Sequence, residues 1–385
     1  MRNTRDIHNY DRRLKAVLDR IRASRQIDDG DKLDILKFQQ QCFAEGLAAS
    51  RVVKYIYTLL QIEKMLGKRF EKANREDIVK LVEKVERNKK WAEWTKHDFK
   101  VTLKKFYRWL RGIQKRGVYP EEVDWITTTV KNSNSRLPEE ILTEEEVKRL
   151  VQVANNTRDK ALVLVSYESG ARIGELLNMR IKDVTFDDLG AVTMVTGKTG
   201  DRRIRLVASA PALAEWINSH PERENQEAFV WPIGYRAVDK LFKGLAKKAK
   251  VKKRITPHLF RHSRATHLAT KLTEQQLKQL MGWTMGSKMA QVYVHLSGRD
   301  LDNALLELHG LKAQERKEEK FMVKVCPRCE EKNSPDATYC KKCAFPIDVE
   351  TMEWENRTMD ELIRIPQVQR YLRKALRSTL LKKLA

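Results

Sequence analysis

The chain has 385 residues, 41% hydrophobic and 33% charged, which is apolar material for two or three domains rather than one. Its 76 Lys and Arg against 52 Asp and Glu leave a formal charge of +24 and a pI near 9.8, an excess that points to a polyanionic partner, nucleic acid first. It contains no run of 18 or more apolar residues and no evident signal or lipidation segment, and four of its five cysteines fall in two close pairs, so neither a membrane protein nor a secreted disulfide scaffold is expected. The expected location is the cytoplasm, in association with the nucleoid.

From residue 1 to about 115, apolar residues recur at three- and four-residue spacing through DIHNYDRRLKAVLDRIRAS, GDKLDILKFQQQCFAEG, AASRVVKYIYTLLQIEKMLG, REDIVKLVEKVER and KHDFKVTLKKFYRWLRGI. That period predicts a bundle of helices, with Ser50 and Asn74 as N-caps and Cys42 as a small buried apolar residue. The segment holds 29 Lys and Arg against 16 Asp and Glu, a local +13, which predicts a helical DNA-binding domain lying on the phosphate backbone. Any single basic run in it is equally read as a solvated helix face.

Residues 116–140, with Gly117, Pro120, KNSNS and Pro138, predict an interdomain linker. A second domain is expected over 141–312. It opens on a capping box, Thr143 with Glu146. The run ALVLVSYESGARIGELLNMRIKDVTFDD then reads as an apolar helix, a glycine turn and a second helix. Two short strands follow, AVTMVTG and DRRIRLV, joined at GKTG with Lys198 at the tip. Residues 210–250 read as helix interrupted by AFVWPIG, and RDLDNALLELHGL as one more amphipathic helix. Beyond the charged link KAQERKEEK, a cysteine-rich ribbon is expected over 321–350 and a basic helical tail over 351–385. The fold class is mainly α with a small β-sheet (α+β).

The stretch 255–294 carries the chemistry. His258 and Arg261 stand three apart, so on a helix imidazole and guanidinium share a face suited to the non-bridging oxygens of a phosphodiester. Tyr293 is then the candidate nucleophile. By itself the stretch is equally a helix with a basic face, a core histidine and a core tyrosine. Arg172 opens a helix after the glycine turn, and Glu175, three residues on, can hold its guanidinium or simply form a surface ion pair. Lys198, taken alone, is a solvated turn residue.

Taken in order, Arg172, Lys198, His258, Arg261, Trp283 and Tyr293 resemble the tyrosine recombinase (lambda-integrase-like) family. GARIGEL at 170–176 is similar to its G-L-R-x-x-E-L box, HLFRHSRATH at 258–267 to H-x-L-R-H-x-x-A-T-H, and MGWTMGSKMAQVY at 281–293 to the box that ends in the tyrosine. Three departures stand out: Ala171 and Phe260 replace leucines, Trp283 replaces the commoner histidine, and the Trp-to-Tyr spacing of ten is one longer than usual. The longer spacing suggests a Tyr293 that is mobile or docked only by a neighbouring subunit.

The resemblance implies a helical core-binding domain followed by a mixed catalytic domain. It implies a site-specific recombinase acting on double-stranded DNA as a homo-tetramer, monomeric or dimeric when free, with no catalytic metal or nucleotide. Tyr293 attacks phosphorus to give a 3′-phosphotyrosyl link. Arg172, Arg261 and His258 stabilise the transition state, Glu175 positions Arg172, Trp283 adds a donor or packing wall, and Lys198 protonates the leaving 5′-oxygen. His262 and His267 are expected to be structural, and the helix after Tyr293 to pack on a neighbouring subunit.

CPRCEEKNSPDATYCKKC places Cys326 and Cys329, then Cys340 and Cys343, as two Cys-x2-Cys knuckles, the donor set of a closed structural zinc site; two redox or disulfide pairs are the other reading. The ribbon resembles additions seen in archaeal proteins, and with the basic tail it favours an integrase of a mobile element. A Xer-like dimer resolvase or a type IB topoisomerase would use the same chemistry. A non-catalytic zinc-ribbon DNA-binding regulator is the alternative of another class.

Overall fold

The computed structural model describes residues 5–115, 117–130, 141–197, 200–269, 271–294, 306, 308–310, 321–372 and 374. Lys198 therefore lies outside the described residues, as do KNSNS, most of RDLDNALLELHGL, KAQERKEEK, and residues 373 and 375–385 of the basic tail. The chain divides into two compact units, Arg5–Asn134 and the rest.

The first unit is a bundle of five helices: α1 (Tyr10–Ala23), α2 (Asp29–Ala44), α3 (Ala49–Leu66), α4 (Arg75–Glu86) and α5 (Glu93–Leu110). All four others pack on α3, whose Val52, Ile56, Leu59 and Ile62 are fully buried at helical spacing. Phe106 of α5 meets Phe38 and Phe70 edge-on, at centroid distances of 5.2 and 4.8 Å, and the Tyr107 hydroxyl donates to the Phe70 carbonyl. Cys42 is buried in this core. Val123 and Ile126, in the stretch after α5, belong to the same core, and Arg111 pairs with Glu122 at 2.8 Å.

Asn74 closes a capping box with Asp77, as its type predicts. Ser50 does not cap α3. Ala48 is the extended residue there, its carbonyl already accepts from Val52, and Ser50 falls inside the first turn.

The second unit is built around α7 (Thr157–Ser169), buried continuously from Ala161 to Ser169 and packed by α6 (Glu144–Gln152), α9 (Ala210–Asn218), α11 (Pro257–Ala269) and the strand β3. Thr143 and Glu146 form the predicted capping box. The sheet has three antiparallel strands in sequence order: β1 (Val184–Asp187), β2 (Gly190–Gly197) and β3 (Gly200–Leu206). The expected second helix is cut to α8 (Ile173–Leu177), and β1 replaces its remainder. The β-branched and aromatic run Val184–Phe186 pairs across a two-residue turn with Ala191–Thr193, which outweighs the weak helical period there.

Glu168 on α7 ties the sheet to α9. Its carboxylate accepts from the backbone N–H groups of Val207, Ala208 and Ser209 at 2.7–2.9 Å. The unit also contains α10 (Tyr235–Lys248), α12 (Glu274–Met281), α13 (Met289–Val294), the two-stranded pair β4 (Lys324–Val325) and β5 (Lys332–Asn333), and α14 (Val349–Arg364). No described helix is long and apolar enough to cross a membrane.

Candidate active site

Two glycines at helix ends make the frame. Gly170 closes α7 and Gly282 closes α12, at φ +56° and +60°, where a side chain is strained. A Cβ on Gly170 would lie 2.8 Å from the Met281 methyl, so the two chain reversals approach closely only because residue 170 is glycine.

Two guanidinium groups converge on these reversals. Arg261, at the buried centre of α11, donates from Nη1 to the Gly170 carbonyl at 2.7 Å and from Nη2 to the Met281 carbonyl at 2.6 Å. Burial, and then the charge of Arg172, push its pKa down to about 10. It is still cationic at neutral pH, a desolvated positive charge that a nearby anion would stabilise.

Arg172 precedes α8. Its backbone N–H donates to Glu175 Oε2 at 2.8 Å, its Nη1 to Oε1 at 3.0 Å, and both terminal nitrogens reach towards the Gly282 carbonyl at 3.4 Å. Its side chain is about one-third exposed, so it faces the cleft while Glu175 anchors it from beneath.

Arg202 on β3 belongs to the site although it lies in none of the three motif boxes. It bonds Glu175 Oε2 at 2.7 Å and the Leu280 carbonyl at 3.0 Å, joining α8, the sheet and α12. A signal for it exists in DRRIRLV: strand alternation puts Arg202 on the inward face with Ile204 and Leu206. Burial pulls the Glu175 carboxyl upward, but the hydrogen bond and charge of Arg202, and then the N–H and charge of Arg172, outweigh it and hold Glu175 below the ordinary carboxylate range.

Removing Arg202 leaves a buried carboxylate half-paired. Arg202→Ala is expected to cost about 3 kcal/mol in denaturant unfolding at neutral pH. A depressed folded-state pKa contributes stability that is present above the unfolded value of about 4.3 and lost as pH falls through the folded value. The variant's deficit therefore shrinks in acid, and a deficit independent of pH would contradict this account.

Tyr293 lies on α13, is 3% exposed, and stacks on Trp283 with centroids 5.4 Å apart and planes inclined by 9°. Trp283 in turn lies under the Arg261 guanidinium, 5.5 Å from its ring centroid. Within this chain Tyr293 is seated against Trp283. The extra residue is absorbed in the loop before α13. There Trp283 N–H bonds the Lys278 carbonyl at 2.9 Å, Ser287 N–H the Thr284 carbonyl at 2.9 Å, and the Lys278 ammonium holds the Met285 carbonyl at 2.8 Å.

His258 is exposed at the start of α11, on the rim of the cleft, its ring 6.4 Å from that of His262. Of the two histidines expected to be structural, His267 bonds the buried Tyr167 hydroxyl at 2.6 Å. His262 does not stay outside the site: its Nδ1 meets the Tyr293 hydroxyl at 2.5 Å. Gly197 and Gly200, on either side of Lys198 and Thr199, pair across β2 and β3, and a Cβ on Gly197 would fall 2.3 Å from Glu175 Oε1. The described residues thus bring together Arg172, Glu175, Arg261, Trp283 and Tyr293 with Arg202 and His262, and set His258 at the edge.

The four cysteines form a second centre. All four Sγ atoms lie within 4.8 Å of one another, with Cys326 and Cys343 at 3.6 Å and Cys329 and Cys340 at 3.5 Å. Those separations are far beyond a disulfide bond of about 2.05 Å and near the edge of a tetrahedron of thiolates about 2.3 Å from a metal ion. Both knuckles turn alike: Glu330 N–H bonds the Cys326 carbonyl, Ala344 N–H bonds the Cys340 carbonyl, each at 2.9 Å, and both residues are left-handed at φ +58° and +54°. The cluster fits a metal ion, and the segment before it is tied to the second unit where Phe321 N–H bonds Glu144 at 2.8 Å and its ring meets Tyr167 edge-on.

The profile of the phage integrase family matches residues 140–299. Tyrosine recombinase XerA of Pyrococcus furiosus is 30% identical over 187 residues, covering 45% of this chain and 64% of the relative. Tyrosine recombinase XerC of Xylella fastidiosa is 33% identical over 167 residues, 40% of this chain and 56% of the relative. The chain thus spans less than two-thirds of the length of these curated relatives. Among solved structures, XerH site-specific recombinase bound to palindromic difH substrate aligns with a TM-score of 0.54 at 16% identity, covering 80% of this chain and 98% of that one. A lambda integrase dimer bound to a COC′ core site gives 0.54 at 15% identity, over 68% and 75%. At those identities the likeness is one of fold.

Proposed function

Because the chain carries a phage integrase family domain over residues 140–299 and is a homologue of the tyrosine recombinases, we propose that it cuts and rejoins double-stranded DNA at a specific site through a tyrosine-linked intermediate. The observation that carries this reading is the seating of Tyr293 on Trp283, beside a buried arginine and a second arginine held by Glu175. A phosphate entering the cleft would meet Arg172, Arg261 and His258 on its non-bridging oxygens, and these cations would stabilise the charge of the pentacovalent transition state. Tyr293 Oη would bond to phosphorus as the P–O5′ bond breaks, and Lys198 would give the 5′-oxygen its proton. The link conserves the phosphodiester energy, so resealing needs no nucleotide. The basic first unit would hold the flanking duplex by its phosphates.

The likeness to recombinases solved on DNA supports a DNA-bound assembly of several copies, with a tetramer as the working unit. Integration or excision of a mobile element is the activity we favour over dimer resolution. The test is a nicked suicide duplex, chosen from a random-sequence pool by the chain's own binding, incubated with the full chain in EDTA. A denaturation-stable adduct supports the reading; its absence sinks it. Holliday junctions from two marked duplexes separate recombination from topoisomerase-type relaxation.

The cysteine cluster we assign to structural zinc, bound by Cys326, Cys329, Cys340 and Cys343, which leave no open position for chemistry. Metal analysis is expected to give about one zinc per chain. Cys340→Ser should lower that content and loosen residues 321–348 to proteolysis without abolishing the adduct; a zinc-free chain with an intact ribbon would refute the assignment.

A further inference from the structure

The contact between Tyr293 and His262 is a feature of the site that the motif order does not explain. The phenol meets Nδ1 at 2.5 Å, with ring centroids 5.7 Å apart. A phenol of pKa about 10 is almost wholly protonated at neutral pH and is a poor nucleophile until its proton has somewhere to go. Resting on the recombinase reading, we propose that His262 is a catalytic residue: the group that takes the Tyr293 proton as the phenol attacks phosphorus.

Three observations carry this. The stack on Trp283 fixes the plane of the phenol, so Oη is held towards α11, the helix that also bears Arg261. The contact is within hydrogen-bond reach of Nδ1, and in the tautomer with the hydrogen on Nε2 that nitrogen accepts from the phenol, which is the state a general base requires. The ring of His262 is half-buried, so the proton can pass on to solvent, whereas His258 sits exposed one turn earlier at the rim, where a phosphate oxygen would lie.

The step balances. The Oη–P bond forms, the P–O5′ bond breaks, the phenolic proton moves to Nδ1 of His262, and the 5′-oxygen takes its proton from Lys198. In religation the 5′-hydroxyl attacks, its proton returning to Lys198, the phosphotyrosyl P–O bond breaks, and the departing Tyr293 recovers its proton from His262.

His258 and Arg261 stand on the same helix as His262, and Tyr293 on α13. Arg172 is held by Glu175, which is also paired to Arg202. On the remaining packed helices, Tyr167 of α7 and Glu144 of α6 are engaged at the other end of α11 through His267, and Arg264 lies over the Tyr167 ring. Arg261, at about 10, stays charged throughout the range tested.

The experiment is single-turnover cleavage of the selected suicide duplex by the full chain between about pH 5.5 and 8.5, for the parent, His262→Ala and His262→Asn. Asparagine keeps a short acceptor for the phenol but cannot take its proton. We expect His262→Asn to bind DNA as the parent does, to cleave about 10²–10⁴-fold more slowly at neutral pH, and to lose the acid limb of the parent's pH profile.

A duplex with sulfur in place of the bridging 5′-oxygen gives the second readout, since a thiolate leaves without a proton. It should restore a Lys198→Ala variant and leave His262→Asn slow. Parent-like rate and pH profile in His262→Asn, or its rescue by sulfur, would overturn the proposal alone. No tyrosine-linked adduct from the parent would overturn the recombinase reading and this proposal with it. Should His262→Ala fail to fold, His262→Asn carries the test.

Discussion

Tyr293→Phe will form no covalent adduct with a nicked suicide duplex, while binding that duplex as tightly as the parent and unfolding at nearly the same temperature. The substitution removes one oxygen and keeps the ring. The stack on Trp283 at 5.4 Å survives, as does most of the packing among Leu277, Met281 and Ala290 that holds α13 in place. The lost hydrogen bond to His262 costs about 1 kcal/mol, and His262 can turn to water. Chemistry, by contrast, has no second nucleophile to fall back on, so the loss should reach the detection limit, at least about 10⁴-fold. Adduct formation at the parental rate would mean that another residue attacks, and the site would have to be reassigned.

The second large effect is expected at Arg261. Arg261→Met should bind duplex DNA with only a modest deficit but cleave at least about 10³-fold more slowly, the scale of removing one charge-stabilising guanidinium from a phosphoryl-transfer site. Arg261→Lys should do little better. A single ammonium cannot span the carbonyls of Gly170 and Met281, which the two terminal nitrogens of Arg261 hold at 2.7 and 2.6 Å, and still present a donor to phosphate.

Stability should move far less than activity. Two carbonyls lose their donors, but a cation whose burial already depresses its pKa to about 10 is taken out of the interior. We expect a net change within about 2 kcal/mol, read from denaturant unfolding. A rate within tenfold of the parent would show that the buried arginine is scaffolding rather than part of the phosphate shell.

Much of this site is legible in the sequence. The apolar period announces the five helices of the bundle, Asn74 announces the cap of α4 and Thr143 that of α6, and the cysteine spacing announces a cluster of four sulfurs. Arg172, Glu175, Arg261, Trp283 and Tyr293 can be named because three short motifs resemble those of the tyrosine recombinases; spacing alone leaves them readable as a basic helix face and core residues.

What the sequence hides is contact between elements. Arg202 sits 27 residues from Glu175, and no local spacing connects them. His262 cannot be told from His267 because both are half-buried on α11 and neither spacing nor residue type says which helix each will meet. Only the placement of α13 decides that one meets the nucleophile while the other meets Tyr167. The strand β1 escapes because its run is four residues long and becomes a strand only through its pairing with β2. Ser50 misleads because a capping residue is defined by where the backbone turns helical, earlier here than its type suggests.

The seating of Tyr293 also has a genetic consequence. Tyr293, His262, Trp283 and Arg261 touch within one polypeptide, so a tyrosine lent to a neighbouring copy would first have to leave that packing. Mixed assemblies should therefore not complement. Combining Tyr293→Phe subunits with Arg172→Ala subunits on one duplex is expected to yield no adduct, whereas a shared active site would restore cleavage to a defined fraction of the mixture. By the same logic a defective allele would be dominant in proportion to the number of its copies in the assembly, and a wild-type partner would leave that copy's own strand uncut.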